Sequence, residues 1–370
     1  MRKLLFPCGN GLINSLLAYF YVSIFHEQPQ ATLVVWALTG FVGGFIVAFI
    51  IQHTIKSWQK PIQHTSKYAV MVCSVLFNFL VACPFFAVLF TPFMETNRHA
   101  VCCETPLNYG AKNYESLTLN MRDGTQISGW YVAPTSHPNE LIILVHGHYN
   151  DRRGVSPWAK YLIGAGYGIF MYDQRGNGES TGELHLIKDY MSQDLLEVTQ
   201  QISEKYTLKK IGVIGLSMGA HTVMNAAAEN QNTFNVIWVD GLMPQAESDL
   251  VNDTPTTIKL QGFLYCTIGQ QLYWMEKLHS DNLPAPRGAI TSILPRLTHP
   301  QVMLVSGGLE DVENAANRQY EKFNNSHVHS WIIPTGHHLS GPYDAPDEYR
   351  RRLLEFFAQG FEDTKETAAN

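Results

Sequence analysis

Lys210-Ile211-Gly212-Val213-Ile214-Gly215-Leu216-Ser217-Met218-Gly219-Ala220-His221-Thr222-Val223-Met224-Asn225-Ala226-Ala227-Ala228 decides the fold. Its first five residues read as a short strand and its last nine as a helix. The pattern between them, Gly-x-Ser-x-Gly, is too short to carry weight alone, but its position between strand and helix does. A sharp strand-to-helix turn needs small residues because helix and strand pack close, and it exposes the serine hydroxyl at the strand end. The new helix N-terminus favours developing negative charge. Ser217 is therefore the candidate nucleophile.

Working upstream, the continuous apolar run Leu141 to Val145 ends at His146-Gly147-His148. Such runs suit strands buried on both faces of a parallel sheet. Gly168 to Tyr172, Ile211 to Ile214, Val236 to Val239, Val302 to Val305 and Ser330 to Ile333 repeat the type. Glu115 to Met121 and Gln126 to Val132 read as a hairpin about the turn signal Arg122-Asp123-Gly124. Helical stretches are expected at Pro157 to Ile163, Ile187 to Glu204, Ser217 to Glu229, Ala315 to Phe323 and Glu348 to Phe357. Alternating strands and helices predict an α/β domain, a mostly parallel sheet with helices on both faces.

A serine nucleophile on such a scaffold needs an acid and then a histidine downstream. Gly307-Gly308-Leu309-Glu310-Asp311 follows one strand, and Gly336-His337 follows another. Asp311 and His337 are the expected partners, with Glu310 and His338 as the competing choices. Asp173-Gln174-Arg175-Gly176-Asn177-Gly178-Glu179-Ser180 has the look of chemistry, but reads as a glycine-rich loop tied by its own side chains.

With these motifs in order, the chain resembles the α/β-hydrolase superfamily from about Tyr114 to Phe357. Within it, the sequence looks most like the membrane-anchored α/β-hydrolase domain proteins and the serine aminopeptidase-like, lysophospholipase-like group. The resemblance implies an α/β-hydrolase fold, an oxyanion hole from the backbone N–H groups of His148 and Met218, and no metal or organic cofactor. It implies acyl transfer to water through an acyl-enzyme on Ser217. The expected substrates are acyl lipids or small carboxylic esters. Peptidase or amidase chemistry uses the same triad, and a non-catalytic scaffold on this fold is the reading from a different class.

The N-terminal quarter has another character. Only 16% of the 370 residues are charged, and the shortage is concentrated there. Residues 1–95 are expected to form a membrane region of two to three transmembrane helices, at Leu4 to Phe25, Ala31 to Ile51 and Tyr68 to Phe93. The first of these also fits a signal peptide after Arg2 and Lys3, although 23–30 offers no small-x-small cleavage site. Three spans depart from many relatives, which have one or none. Lys56, Lys60 and Lys67 favour a cytoplasmic second loop. The catalytic domain is then expected on the non-cytoplasmic side of a plasma or inner membrane.

Between the two regions, 96–113 reads as a linker. The catalytic domain is expected at 114–358, with a cap at 241–298, where the strand–helix alternation fails, and a disordered tail at 359–370. The net charge of -6 is spread out, and no basic stripe points to nucleic acid. Six cysteines in a chain of this length do not make a disulfide framework, and without a CxxC pair they give a zinc site little support.

Overall fold

A computed structural model describes residues 5–23, 37–38, 40–50, 72–73, 76, 97–148, 150–182, 188–250, 254–259, 262, 288–323 and 326–367. The chain divides into two compact units, Met1–Met94 with Thr267–Asp281, and Glu95–Cys266 with Asn282–Asn370.

The larger unit is built on eight strands: β1 (Glu115–Asn120), β2 (Gln126–Val132), β3 (Glu140–Val145), β4 (Gly168–Tyr172), β5 (Lys210–Leu216), β6 (Val236–Asp240), β7 (Gln301–Gly307) and β8 (Val328–Ile333). They form one sheet in the order β8-β7-β6-β5-β3-β4-β2-β1. The β1–β2 and β2–β4 pairs are antiparallel, and the other five are parallel. All eight strands lie where hydrophobic patterning puts them, five of them one to three residues longer than expected.

Period-two alternation explains how an uninterrupted apolar strand serves two cores. Leu141, Ile143 and Val145 of β3 join one cluster, with Leu195, Val198 and Ile202 of α3 (Lys188–Tyr206) and Val223 and Met224 of α4 (Met218–Glu229). Ile142 and Leu144 join the other, with Trp158 and Leu162 of α2 (Ser156–Ala165) and Tyr349, Leu353 and Phe357 of α6 (Pro346–Thr367). The sheet is therefore covered on both faces. Strand β3 sits between β4 and β5, so the winding reverses there. Open α/β sheets place their sites at the strand C-termini beside such a reversal.

Two boundaries differ from expectation. The segment expected as a linker, 96–113, is largely part of the larger unit. Asn97–Arg98 pair in parallel with Asn177–Gly178, and His99 Nε2 lies 2.9 Å from Asp151 Oδ2. Pro106 and Tyr109 are buried. Polar side chains docked by hydrogen bonds leave no hydrophobic periodicity, so the segment reads as a linker in sequence. The tail expected to be disordered from 359 continues α6 to Thr367 instead, because Phe361 is buried beside Phe357. Residues 368–370 lie outside the described residues, as does most of the expected cap.

In the smaller unit, α1 (Leu5–Ser23) packs on helical residues 40–50. Asn10 Nδ2 donates to Gly44 O at 2.8 Å and Asn14 Nδ2 to Asn10 O at 2.8 Å. A Cβ on Gly44 would lie 2.5 Å from Asn14 Nδ2, and one on Gly11 2.9 Å from Phe41 O. The two asparagines are buried, whereas Leu12, Leu16, Tyr19, Val42, Ile46 and Ile50 are exposed. Among the described residues, no helix is long and apolar enough to cross a membrane. The expected spans Ala31 to Ile51 and Tyr68 to Phe93 lie partly and almost wholly outside those residues.

Candidate active site

Ser217 stands between the last residue of β5 and the first of α4 with φ 53° and ψ −112°. A positive φ on a serine is strained backbone, held only where its surroundings over-determine it. The flanking glycines make the turn feasible. A Cβ at Gly215 would lie 2.6 Å from Gly219 O, and one at Gly219 2.4 Å from Val145 O. The Ser217 N–H donates to Asp240 O at 2.8 Å, tying the turn to the end of β6.

His338 Nε2 lies 2.9 Å from Ser217 Oγ, and His338 Nδ1 lies 2.6 Å from Glu313 Oε2. The second Glu313 oxygen accepts from Gly307 N at 2.8 Å, so both carboxylate oxygens are engaged. Glu313 is 1% exposed and the His338 side chain 33% exposed. An acceptor-only carboxylate at Nδ1 fixes the proton there and leaves Nε2 lone-paired toward the serine. Burial alone would lower the His338 pKa. The hydrogen bond and charge of Glu313 oppose it, with help from Asp240 and Glu310, and the net result is a pKa raised above 6.5.

The expected Asp311–His337 pair is not formed. Asp311 is an exposed residue opening α5 (Asp311–Tyr320), on the solvent side of its first turn. Glu313, two residues on, faces inward, and its extra methylene reaches the imidazole. His337 is 66% exposed and contacts Glu310 at 3.2 Å. The two histidines open a turn closed by the Ser340 N–H on His337 O at 3.2 Å, and of the two rings it is that of His338 that faces Ser217. The Ser217–His338–Glu313 chain thus contains one expected residue, one weighed as an alternative, and one missed. A longer acid inside the next helical turn leaves no mark in a Gly-Gly-x-acid loop pattern. The available signal was that helix start, with its acidic first turn.

The loop after β3 runs past the nucleophile: a Cβ on Gly147 would lie 3.3 Å from Ser217 Cβ. His146 is fully buried, with Nδ1 2.7 Å from Gly147 O and Nε2 accepting from Gln174 N at 3.0 Å. Burial holds its pKa below 6.5, in keeping with a neutral ring that donates at one nitrogen and accepts at the other. Gln174 Nε2 donates back to His146 O, and Thr222 Oγ1 donates to Gln174 Oε1. His148 follows directly, and Met218 opens α4, where an amide has no preceding turn to pair with.

The 173–180 loop is a framework around this site. Asp173 accepts from Arg152 N, Nε and Nη2 and from Glu179 N. Arg175 grips Asp194 through two bonds of 2.6 Å. Farther along, the Asp249 carboxylate accepts from Gln245 N, Ala246 N, Ile290 N, Thr291 N and Thr291 Oγ1. One buried side chain therefore closes the base of the 250–289 excursion. Among the described residues, no group of three or more His, Cys, Asp or Glu could hold a metal ion.

This architecture is similar to an esterase of Pyrococcus furiosus, with TM-score 0.55 and 20% identity over 72% of this chain and 98% of that one. It is also similar to the α/β-hydrolase GrgF of Penicillium sp. sh18, with TM-score 0.51 and 16% identity over 67% and 99%. The chain has the α/β-hydrolase fold. A family profile described as Hydrolase_4, serine aminopeptidase S33, matches residues 136–248. That stretch includes Ser217 and ends before Glu313 and His338. Curated relatives include Escherichia coli K12 YfhR, 25% identical over 30% of this chain and 40% of that protein. Human monoglyceride lipase is 28% identical over 30% of this chain and 38% of the lipase. The chain thus spans about two fifths of the length of these relatives.

Proposed function

We propose that this α/β-hydrolase cleaves carboxylic esters of acyl lipids or small molecules, with Ser217 as nucleophile, His338 as general base and acid, and Glu313 as the carboxylate that orients and supports the imidazolium. The observation that carries the reading is the unbroken hydrogen-bonded chain from Ser217 Oγ through His338 to Glu313, on a strained turn at the strand ends. Ser217 Oγ attacks the ester carbonyl as His338 Nε2 takes its proton, and the C–O bond then breaks as His338 returns that proton to the leaving alcohol. Water repeats the sequence on the acyl-enzyme and restores the serine. The amides of His148 and Met218 are assigned to the oxyanion. The names of the relatives, a monoglyceride lipase and an esterase, support ester chemistry. The aminopeptidase description of the matching profile favours amide substrates as a second reading.

The N-terminal region is assigned to the membrane, with the catalytic domain on the non-cytoplasmic side. Its packing supports that assignment, with asparagines and glycines at the helix–helix contact and apolar side chains outward. Close approach through small residues and amide hydrogen bonds between helices is the pattern of helices in lipid.

The test is a substrate panel on the full chain in detergent: esters of rising acyl length, lysophospholipids and aminoacyl amides, with Ser217→Ala beside it. Ester turnover abolished in the folded variant is the expected result. Turnover of amides alone would transfer the assignment to the second reading, and absence of both turnover and fluorophosphonate labelling would overturn it.

A further inference from the structure

Asp240 is a buried acid for which the proposed mechanism has no task. It ends β6, next to the strand that carries Ser217, and its carbonyl receives the Ser217 N–H. The following residue, Gly241, has φ +72°, and a Cβ there would lie 2.5 Å from His338 Cε1. The backbone at 240–241 therefore touches both the nucleophile and the imidazole.

The Asp240 side chain is held in an unusual way. Tyr349 Oη lies 2.6 Å from Asp240 Oδ2, 2.8 Å from Trp158 Nε1 and 2.9 Å from Trp238 Nε1. Indole N–H groups only donate, so the phenol spends its lone pairs on the two tryptophans and its single proton points at Asp240. Three other buried acids of this domain have a guanidinium partner. Asp173 is paired with Arg152, Asp194 with Arg175 and Asp151 with Arg153. Asp240 is 2% exposed and receives a phenol in place of a guanidinium. Among the described residues, the charges that act on it are Glu313 and His338. Those acting on His338 are Glu313, Asp240 and Glu310.

We propose that Asp240 is a second carboxyl serving His338, a positioning residue gripped by Tyr349, whose ionised form stabilises the imidazolium beside Glu313. The inference rests on the Ser217–His338–Glu313 reading and assigns it a regulating partner. Burial pushes the Asp240 pKa up to about 7, with Glu313 adding to the rise and Tyr349 and His338 opposing it. The carboxyl thus changes charge near neutrality. Below that point the imidazolium relies on Glu313 alone, and above it two carboxylates support it. No proton passes between Asp240 and His338; each exchanges with the medium, and each ionised form favours the other.

Asp240→Asn keeps an oxygen for the Tyr349 hydroxyl and removes the charge, so it is the variant of choice. Two quantities are read on the full chain in detergent: the pH profile of ester hydrolysis, and the midpoint of the His338 ring in a histidine-labelled NMR titration, assigned with His338→Gln. Removing a negative charge beside a histidine lowers its pKa. The His338 midpoint and the acid limb of the rate are therefore expected to fall together by about 0.5 pH or more, with KM unchanged. The limb is expected to flatten from two ionisations to one. Asp240→Asn added to Glu313→Gln is expected to remove a further roughly tenfold in kcat, because Asp240 carries the residual support. A folded Asp240→Asn with wild-type midpoint and limb would overturn the proposal and leave Asp240 as an anchor between β6 and α6. A moved midpoint in a chain that hydrolyses no ester would retain the Asp240–His338 coupling and reject the ester reading.

Discussion

At the residue scale, the adjacent histidines give the sharpest test of the site. His338 touches Ser217 and Glu313, whereas His337 is a solvent-facing neighbour of Glu310. His338→Gln is expected to reduce kcat by roughly 10^4-fold or more, and His337→Gln by less than about threefold. Steady-state ester hydrolysis by the two purified variants checks this, and a larger loss in His337→Gln than in His338→Gln would return the assignment to the expected His337. The same residue sets the pH profile. A general base works only when neutral, and the His338 pKa is raised, so the acid limb of kcat/KM is expected above pH 6.5. Glu313→Gln removes the charge that helps raise that pKa, while burial continues to lower it. The limb is then expected to move to lower pH as kcat falls by about 10^2- to 10^4-fold. A limb in Glu313→Gln that stays in place would mean that Glu313 does not act on the titrating group.

At the element scale, the turn between β5 and α4 depends on two glycines for space rather than for flexibility. Gly219 has no room for a methyl group, because the carbonyl oxygens of Val145 and His146 would lie 2.4 and 2.6 Å from its Cβ. Gly219→Ala is expected to cost about 1–3 kcal/mol by pushing α4 away from β3, and to displace the Met218 amide with it. A lower melting temperature together with slower fluorophosphonate labelling is the expected pair of measurements; loss of neither would show that the elements can part without consequence. Element existence was legible in the sequence because most strands are short apolar runs and the hairpin is marked by its turn residues. Glu313 was not, because the pattern that marks a strand end says nothing about which face of the next helix turns inward. His338 was only half legible: Gly336 marks the loop, but the turn through Ser340 and Leu339, with φ 58° at Leu339, decides which ring points back.

At the scale of the whole chain, the catalytic body begins before the hairpin. A chain shortened to begin at Glu95 keeps the Asn97–Arg98 pairing and the His99–Asp151 contact, and one beginning at Glu104 loses both. The Glu95 form is expected to melt several degrees higher, at about 2–4 °C per kcal/mol for a domain of this size. Indistinguishable melting curves would make the segment a passenger. The proposed orientation in a membrane rests on Lys56, Lys60 and Lys67 and on an odd number of spans. A reporter fused after Asn370 is expected to show alkaline phosphatase activity in bacteria. A fluorescent, phosphatase-negative fusion would place Ser217 in the cytoplasm and change the leaflet from which substrate arrives.

The sequence by itself determined the eight strands, their alternation with helices, the strand-to-helix turn that carries Ser217 and the structural character of the 173–180 loop. Each is written in local residue order: period-two or continuous apolar runs, a glycine-flanked serine between strand and helix, and polar side chains that satisfy one another within one loop. Only the tertiary structure decided which histidine meets Ser217 and which acid meets that histidine, that residues 97–109 dock on the domain, and that the backbone at 240–241 lies against the imidazole. Those choices depend on which side chains converge from positions 25 and 121 residues apart. Convergence is a property of the sheet order and the loop conformations, and neither is carried by any local pattern.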